Sequence, residues 1–326
     1  MNVTKEIVIR LSRTLCLNAI FYRLNRGSKR ILAFHNVLPD EMIAAHPNAG
    51  VAMRASMFRD IIRALKKRWK FSTDMYDVES VTITFDDGYL NQFAIAGRIL
   101  EEEGNIPAIL FTSGLVIDAD TPSKALVVDK LLHWVAGVPE GVYKKLNVAN
   151  RIDLWQRIVR PALVNDVEGR GVNALMQFDS IWPMAKIFAA CSDDYLSLRL
   201  TGTPRRYLDV LKTRGWQIGW HTQTHPALSM LSNDDKYTEM SPPPGFENAP
   251  FAYPYGELAS VDESAVDIAR QIGYPCAVSC VLSPNPLIGS YFLPRISLPS
   301  VSNLDFEMSG LRYFLKFGRL LPKVLG

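Results

Sequence analysis

VTITFDDGY, residues 81–89, decides how this chain is read. Val81 to Phe85 form a strongly apolar run of strand length. The run stops on two adjacent carboxylates, Asp86 and Asp87, and Gly88 then lets the chain turn sharply. Neighbouring residues at a strand end point different ways, so one carboxylate can bind a metal while the other addresses a water on it. Taken alone, Asp-Asp-Gly is more often a capped turn.

Working outward, strand and helix patterns alternate. ILAFH (31–35), SMFRDIIRALKKRW (56–69), the strand at 81–85, LNQFAIAGRILEEEG (90–104) and PAILFT (107–112) follow one another from Arg30. Beyond residue 120 the rhythm fails for about 80 residues, where DKLLHWV, DLWQRIVRPALV and NALMQFDSIWPMAKIF read as helices. It resumes with the helix PRRYLDVLKTRG (204–215), strand WQIGW (216–220), strand FAYP (251–254), helix SAVDIARQIG (264–273), strand CAVSCVL (276–282) and the short strand PRISL (294–298). Alternation of this kind predicts parallel strands with crossover helices, in a βα barrel or in a doubly wound open sheet.

WQIGWHTQTH also ends an apolar strand, and it delivers His221 and His225 four residues apart. That spacing converges two imidazoles if the segment turns. With Asp87 as third ligand they make two histidines and one carboxylate with open positions, a donor set that holds a catalytic divalent metal.

At this point the sequence resembles the polysaccharide deacetylases with the nodulation-protein homology domain, carbohydrate esterase family four. TFDDG (84–88), HTQTH (221–225) and PYG (254–256) carry the resemblance to the family's first, second and third motifs. It implies a distorted (β/α) barrel of seven or eight strands over residues 30–120 and 200–300, and it does not extend to the helical insertion at 121–199 or to the two basic ends. It also implies metal-dependent removal of acetyl groups from N-acetylated sugars. Asp86 would be the general base, Asp87, His221 and His225 the metal ligands, and Tyr255 the residue whose backbone N–H receives the oxyanion. Zinc is the first expectation for the metal, with nickel and cobalt compatible.

The chain departs from the family pattern twice. No histidine follows His225, so the acid histidine of a Leu-x-His motif is absent. His35, at the end of the first strand, is the expected donor, as in the branch acting on poly-N-acetylglucosamine. The arginine of the third motif is missing too, because the chain reads Phe251, Ala252, Tyr253, Pro254, Tyr255. Arg295, opening the last strand, is the expected partner of Asp86. His46 and His133 lie away from strand ends and carry no expected role. Tyr89, Trp220 and Tyr253, near strand ends, are expected to stack on sugar rings, a pattern that core packing explains equally well for most of them.

A net charge of +3 conceals a division. Residues 1–30 hold seven Lys/Arg against one Glu, and residues 311–326 hold four and no acid, so the 280 residues between them are net −7. A basic amphipathic helix is expected within residues 1–29, and a basic segment at 301–326. The helix either packs on the domain or lies on an anionic membrane, and the two basic ends suit such a membrane better than nucleic acid. The four cysteines are too few and scattered for a disulfide scaffold, and there is neither a signal peptide nor a membrane span. A cytoplasmic location follows, peripheral on the inner membrane face. The function read is deacetylation of an amino sugar in a polysaccharide, exopolysaccharide, oligosaccharide or lipid-linked precursor. The alternatives are hydrolysis of a non-sugar C–N bond, or a catalytically weak glycan-binding or membrane-associated relative. The oligomeric state is left open.

Overall fold

The computed structural model describes residues 3–45, 52–117, 127–161, 193–280, 291–298 and 304–317. Its ten strands are β1 (Ile31–Phe34), β2 (Asn36–Leu38), β3 (Ala52–Arg54), β4 (Lys70–Phe71), β5 (Ser80–Phe85), β6 (Ile109–Thr112), β7 (Gln217–Trp220), β8 (Phe251–Ala252), β9 (Ala277–Val278) and β10 (Ile296–Ser297). Eight of them form one parallel sheet in the order β10-β1-β5-β6-β7-β8-β9, with β4 alongside the start of β5. The sheet curls on itself. Leu293 pairs with Val278 of β9 while Ile296 pairs with Leu32 of β1, so one short segment touches both edges of the α/β barrel-like fold.

β5 is buried at all six positions, as a parallel strand with both faces covered must be. On one face, Phe85 lies 5.8 Å from Phe34, 5.7 Å from Phe58 and 5.6 Å from a stacked Trp216. Phe58 belongs to the helix Ala55–Lys66, which buries Phe58, Ile61, Ile62 and Leu65 in one stripe. Phe85→Ala is expected to cost about 3–5 kcal/mol in urea unfolding, because three rings lose their common partner.

The other crossover helices read from the sequence form at Arg98–Glu102, preceded by a wide π-type turn at Gln92–Gly97, and at Arg205–Thr213 and Glu263–Ile272. Local signals fix the last of these. Asp262 accepts a bond from Ala265 N at 3.0 Å at its start, and left-handed Gly273 ends it. Within the expected insertion, the described parts are helical at Val127–Gly137, Glu140–Lys145, Arg151–Val159 and Asp193–Leu200. NALMQFDSIWPMAKIF, Cys191 and His46 lie outside the described residues.

Two local expectations are corrected. The N-terminal segment is not one helix but two, Val3–Thr14 and Leu17–Leu24, because Cys16 sits in the left-handed region at φ 52° and breaks the run. CAVSCVL is a strand only at Ala277–Val278 in its described part, so Cys276 and Cys280 do not share a strand face. Among the described residues no helix is long and apolar enough to cross a membrane.

Candidate metal centre

Asp86 and Asp87 leave β5 in different directions. The Asp86 N–H still donates to Phe34 O at 3.1 Å, continuing the ladder, whereas Asp87 (φ 79°) and Gly88 (φ 91°) turn in the left-handed region. A Cβ at Gly88 would collide with the Thr112 side chain, so only glycine fits. Gln92, wholly buried, pins the turn. Its Nε2 donates to Asp86 O and His35 O, and its Oε1 accepts from Gly88 N at 3.2 Å.

β7 ends in the same manner. The His221 N–H donates to Thr112 O at 3.1 Å, Thr222 turns at φ 66°, and its hydroxyl accepts from His225 N at 3.0 Å. His225 itself has φ 63°. Four non-glycine residues of these loops, Asp87, Thr222, His225 and Tyr255, occupy the left-handed region, which is backbone strain concentrated at a site.

The three expected ligands meet. One donor atom each from Asp87, His221 and His225 lies within 4.8 Å of the others, and all three side chains are buried. Both Nε2 atoms stand 3.7 Å from Asp87 Oδ1. His221 Nδ1 donates to Ala252 O at 2.7 Å, which leaves Nε2 as the lone-pair nitrogen facing Asp87. Burial lowers the His221 pKa to about 4 and that of His225 well below its ordinary value, so both are neutral donors at pH 7. Burial, with Asp129 and Asp86 nearby, raises Asp87 well above the usual carboxylate range. Each feature fits a divalent cation, whose charge would offset the buried carboxylates.

Asp86 is held differently. Arg295 Nη1 and Nη2 donate to its two oxygens, each at 2.6 Å, in a fork with both partners buried. The same guanidinium reaches Ser279 O at 2.9 Å, Thr84 Oγ1 at 3.0 Å and Cys280 Sγ at 3.0 Å. Burial pushes the Asp86 pKa up, but Arg295 outweighs it, helped by His221 and His35, and leaves the carboxyl below its usual range. His35 Nε2 lies 3.9 Å from Asp86 Oδ2, with about a third of the side chain open to solvent. Burial lowers the His35 pKa, and the Asp86 carboxylate opposes that effect. Tyr255 is half-buried, its ring 4.9 Å from that of His225.

Three expected sugar contacts are corrected. Tyr89, Trp220 and Tyr253 are wholly buried and present no face to a ligand. Trp220 packs edge-on against Phe246, and the Tyr253 hydroxyl donates to Tyr291 O. The Tyr89 hydroxyl donates to Asp129 Oδ2 at 2.7 Å, and Arg199 Nη2 donates to Asp129 Oδ1 at 3.3 Å. Arg199 is buried, with Nε and Nη1 unpartnered. His133 is buried beside the Tyr195 ring and is not one of the three clustered donors.

Sequence reasoning missed Gln92, Asn91, Asp129, Arg199 and Cys280. Asn91 ties Asn36, Val37 N and Leu198 O together, so the last helix of the insertion is fastened to the same loops. Only Asn91 and Gln92 had a local signal, as polar residues opening an otherwise apolar helix directly after the carboxylates.

No family model matches the chain, and no curated protein matches it. Among solved structures it is similar to the Streptococcus pyogenes deacetylase PplD in complex with acetate. The TM-score is 0.53 at 16% identity, over 86% of this chain and 98% of that one. IcaB from Ammonifex degensii overlaps at a TM-score of 0.49 and 14% identity, over 87% and 97%. The chain thus shares the α/β barrel-like fold of the first of these structures, and it carries a buried Asp/His/His cluster after β5 and β7.

Proposed function

We propose that the chain is a metal-dependent hydrolase that removes the acetyl group from an N-acetylated sugar of a glycan. The observation that carries this reading is the juxtaposition of a neutral-histidine and carboxylate donor set with a second carboxylate kept ionised by a buried arginine. Asp87, His221 and His225 would hold the cation, with zinc the first assignment and nickel or cobalt compatible with the same donors. When bound, a divalent ion supplies an acidified water and polarises the amide carbonyl.

The chain's own residues do the rest. Asp86, ionised because Arg295 occupies both its oxygens from one side, takes the proton of the attacking water. The backbone N–H of Tyr255 receives the developing oxyanion. Across the 3.9 Å that separates them, Asp86 passes the proton taken from water to neutral His35, and His35 gives a proton to the departing amine as the C–N bond breaks. Acetate and free amine result. Free Cys16, Cys276 and Cys280 support a reducing, cytoplasmic location.

The test is amine release from N-acetylglucosamine oligomers by the metal-loaded protein. Asp86→Asn is expected to abolish release, by about 10²–10⁴-fold, while leaving metal content unchanged. Release that is absent in the parent, or that survives the substitution, overturns the reading.

A further inference from the structure

We propose that the two ends of the chain form one face that docks on an anionic phospholipid bilayer, with the catalytic mouth turned away from the lipid. The ends are joined to each other in the fold. Asn25 Nδ2 donates to Ser309 O at 2.8 Å, Ile9 packs with Leu311, and the Phe21 and Phe314 rings lie 4.8 Å apart. Helices Val3–Thr14, Leu17–Leu24 and Leu311–Phe317 thus make one unit from opposite ends of the sequence.

That unit bears more than half of the exposed large apolar side chains among the described residues. Twelve large apolar side chains are exposed among the described residues, and seven belong to it, including Ile7, Leu11, Leu15, Ile20, Leu24 and Leu315. Ile7 and Leu11 are one helical turn apart, as are Ile20 and Leu24, so each pair shares a helix face. Exposed apolar side chains gathered in this way mark a contact surface. The charge selects the partner. Arg23 and Arg26 are exposed and flank Leu24 in the chain, Arg26 also lining a neighbouring cavity, whereas the acids Asp305 and Glu307 are engaged by Arg68 and Arg312. With the surrounding sequence at +6 and +4, an apolar face rimmed by arginine suits an anionic interface.

Orientation follows from the strands. A cavity of about 760 Å³ is lined by Tyr22 and Asp305 of the terminal helices together with Arg30, Trp69 and Glu79. These last three immediately precede β1, β4 and β5. The docking unit therefore lies under the N-terminal ends of the strands, and Asp86 and His221 leave the C-terminal ends. The six residues of β5 alone separate the two by about 20 Å. Resting on the deacetylase reading, this placement favours glycan chains that extend well clear of the bilayer over a sugar attached directly to a lipid phosphate.

The closing experiment does not need activity. The full chain should float with vesicles of phosphatidylglycerol and phosphatidylcholine and not with phosphatidylcholine alone. Ile20→Glu/Leu24→Glu and, separately, Arg23→Glu/Arg26→Glu should each reduce floated protein at least tenfold. Equal flotation of parent and variants, or no flotation, overturns docking. So does a parent dimer that the Ile20→Glu/Leu24→Glu variant dissociates without vesicle binding in either. An environment-sensitive dye on exposed Cys16 should shift to the blue on anionic vesicles, and the same dye on Leu258→Cys, in a Cys16→Ser background, should not. A shift at Leu258→Cys places the catalytic end against lipid and overturns the orientation. Loss of amine release with flotation intact removes the deacetylase reading alone.

Discussion

Arg295→Met is expected to lower amine release by about 10²–10⁴-fold and to destabilise the fold by about 3–5 kcal/mol. Both effects have one cause. Methionine fills the space without the fork, so the Asp86 carboxylate stays buried with no cation on either oxygen, and Thr84 Oγ1 and Ser279 O lose their donor. Burial, no longer opposed by Arg295, then raises the Asp86 pKa, and a protonated Asp86 cannot accept a proton from water. The parent behaves oppositely. Its depressed Asp86 pKa contributes stability above the usual carboxylate range, and that contribution is lost only as pH falls through the folded-state value. The decisive measurement is a pH profile. Raising pH re-ionises Asp86 in Arg295→Met and should recover part of the turnover, but it should recover nothing in Asp86→Asn. Arg295→Lys should fall between parent and Met, since one ammonium replaces the charge but not the two-pronged geometry. A variant with parental turnover and an unmoved profile would remove Arg295 from the mechanism.

The parts of this site that the sequence made legible are those where strand chemistry and site chemistry coincide. Val81 to Phe85 must be buried on both sides of a parallel sheet, so they are apolar, and the first polar residues after them are those the barrel mouth uses. The same holds for Trp220 and His221. Proximity across the ring was legible only in outline. Arg295 reaches Asp86 because a segment near residue 295 touches β1 and β9 at once, and no local pattern encodes that pairing. Asp129 was illegible for a related reason. Within DKLLHWV it reads as the polar start of an amphipathic helix, and only tertiary packing sets it on the Tyr89 hydroxyl. The aromatic residues failed in the opposite direction. A tyrosine at a strand end has the same sequence signature whether its ring faces a ligand or the core, and burial of Tyr89, Trp220 and Tyr253 places all three in the core. The break between the two N-terminal helices depends on a left-handed cysteine at position 16, which propensity does not foretell.

Asp87→Asn separates metal binding from folding more cleanly than loss of either histidine. Asp87 sits at φ 79°, a region asparagine tolerates as well as aspartate, so the substitution changes charge and not backbone. In the metal-free protein the carboxylate is a liability. It is buried, and Asp129 and Asp86 lie nearby, so its folded-state pKa lies above its ordinary value. Stability of the metal-free parent therefore falls as pH rises from the usual carboxylate range, by the sign of the linkage. An amide has no such dependence, so chelated Asp87→Asn should melt at or above the temperature of the chelated parent. Metal reverses the order. At a free metal concentration a hundredfold above Kd the parent gains about 2.7 kcal/mol, roughly 4 °C for a chain of this size. Asp87→Asn, left with two neutral imidazoles, should gain little and release no amine. Thermal melts with and without chelator, for both proteins, read the four values. If Asp87→Asn shows the parental metal-dependent rise, the cation is held elsewhere. If its chelated form melts several degrees below the chelated parent, the Asp87 carboxylate is satisfied by the fold itself rather than waiting for a cation.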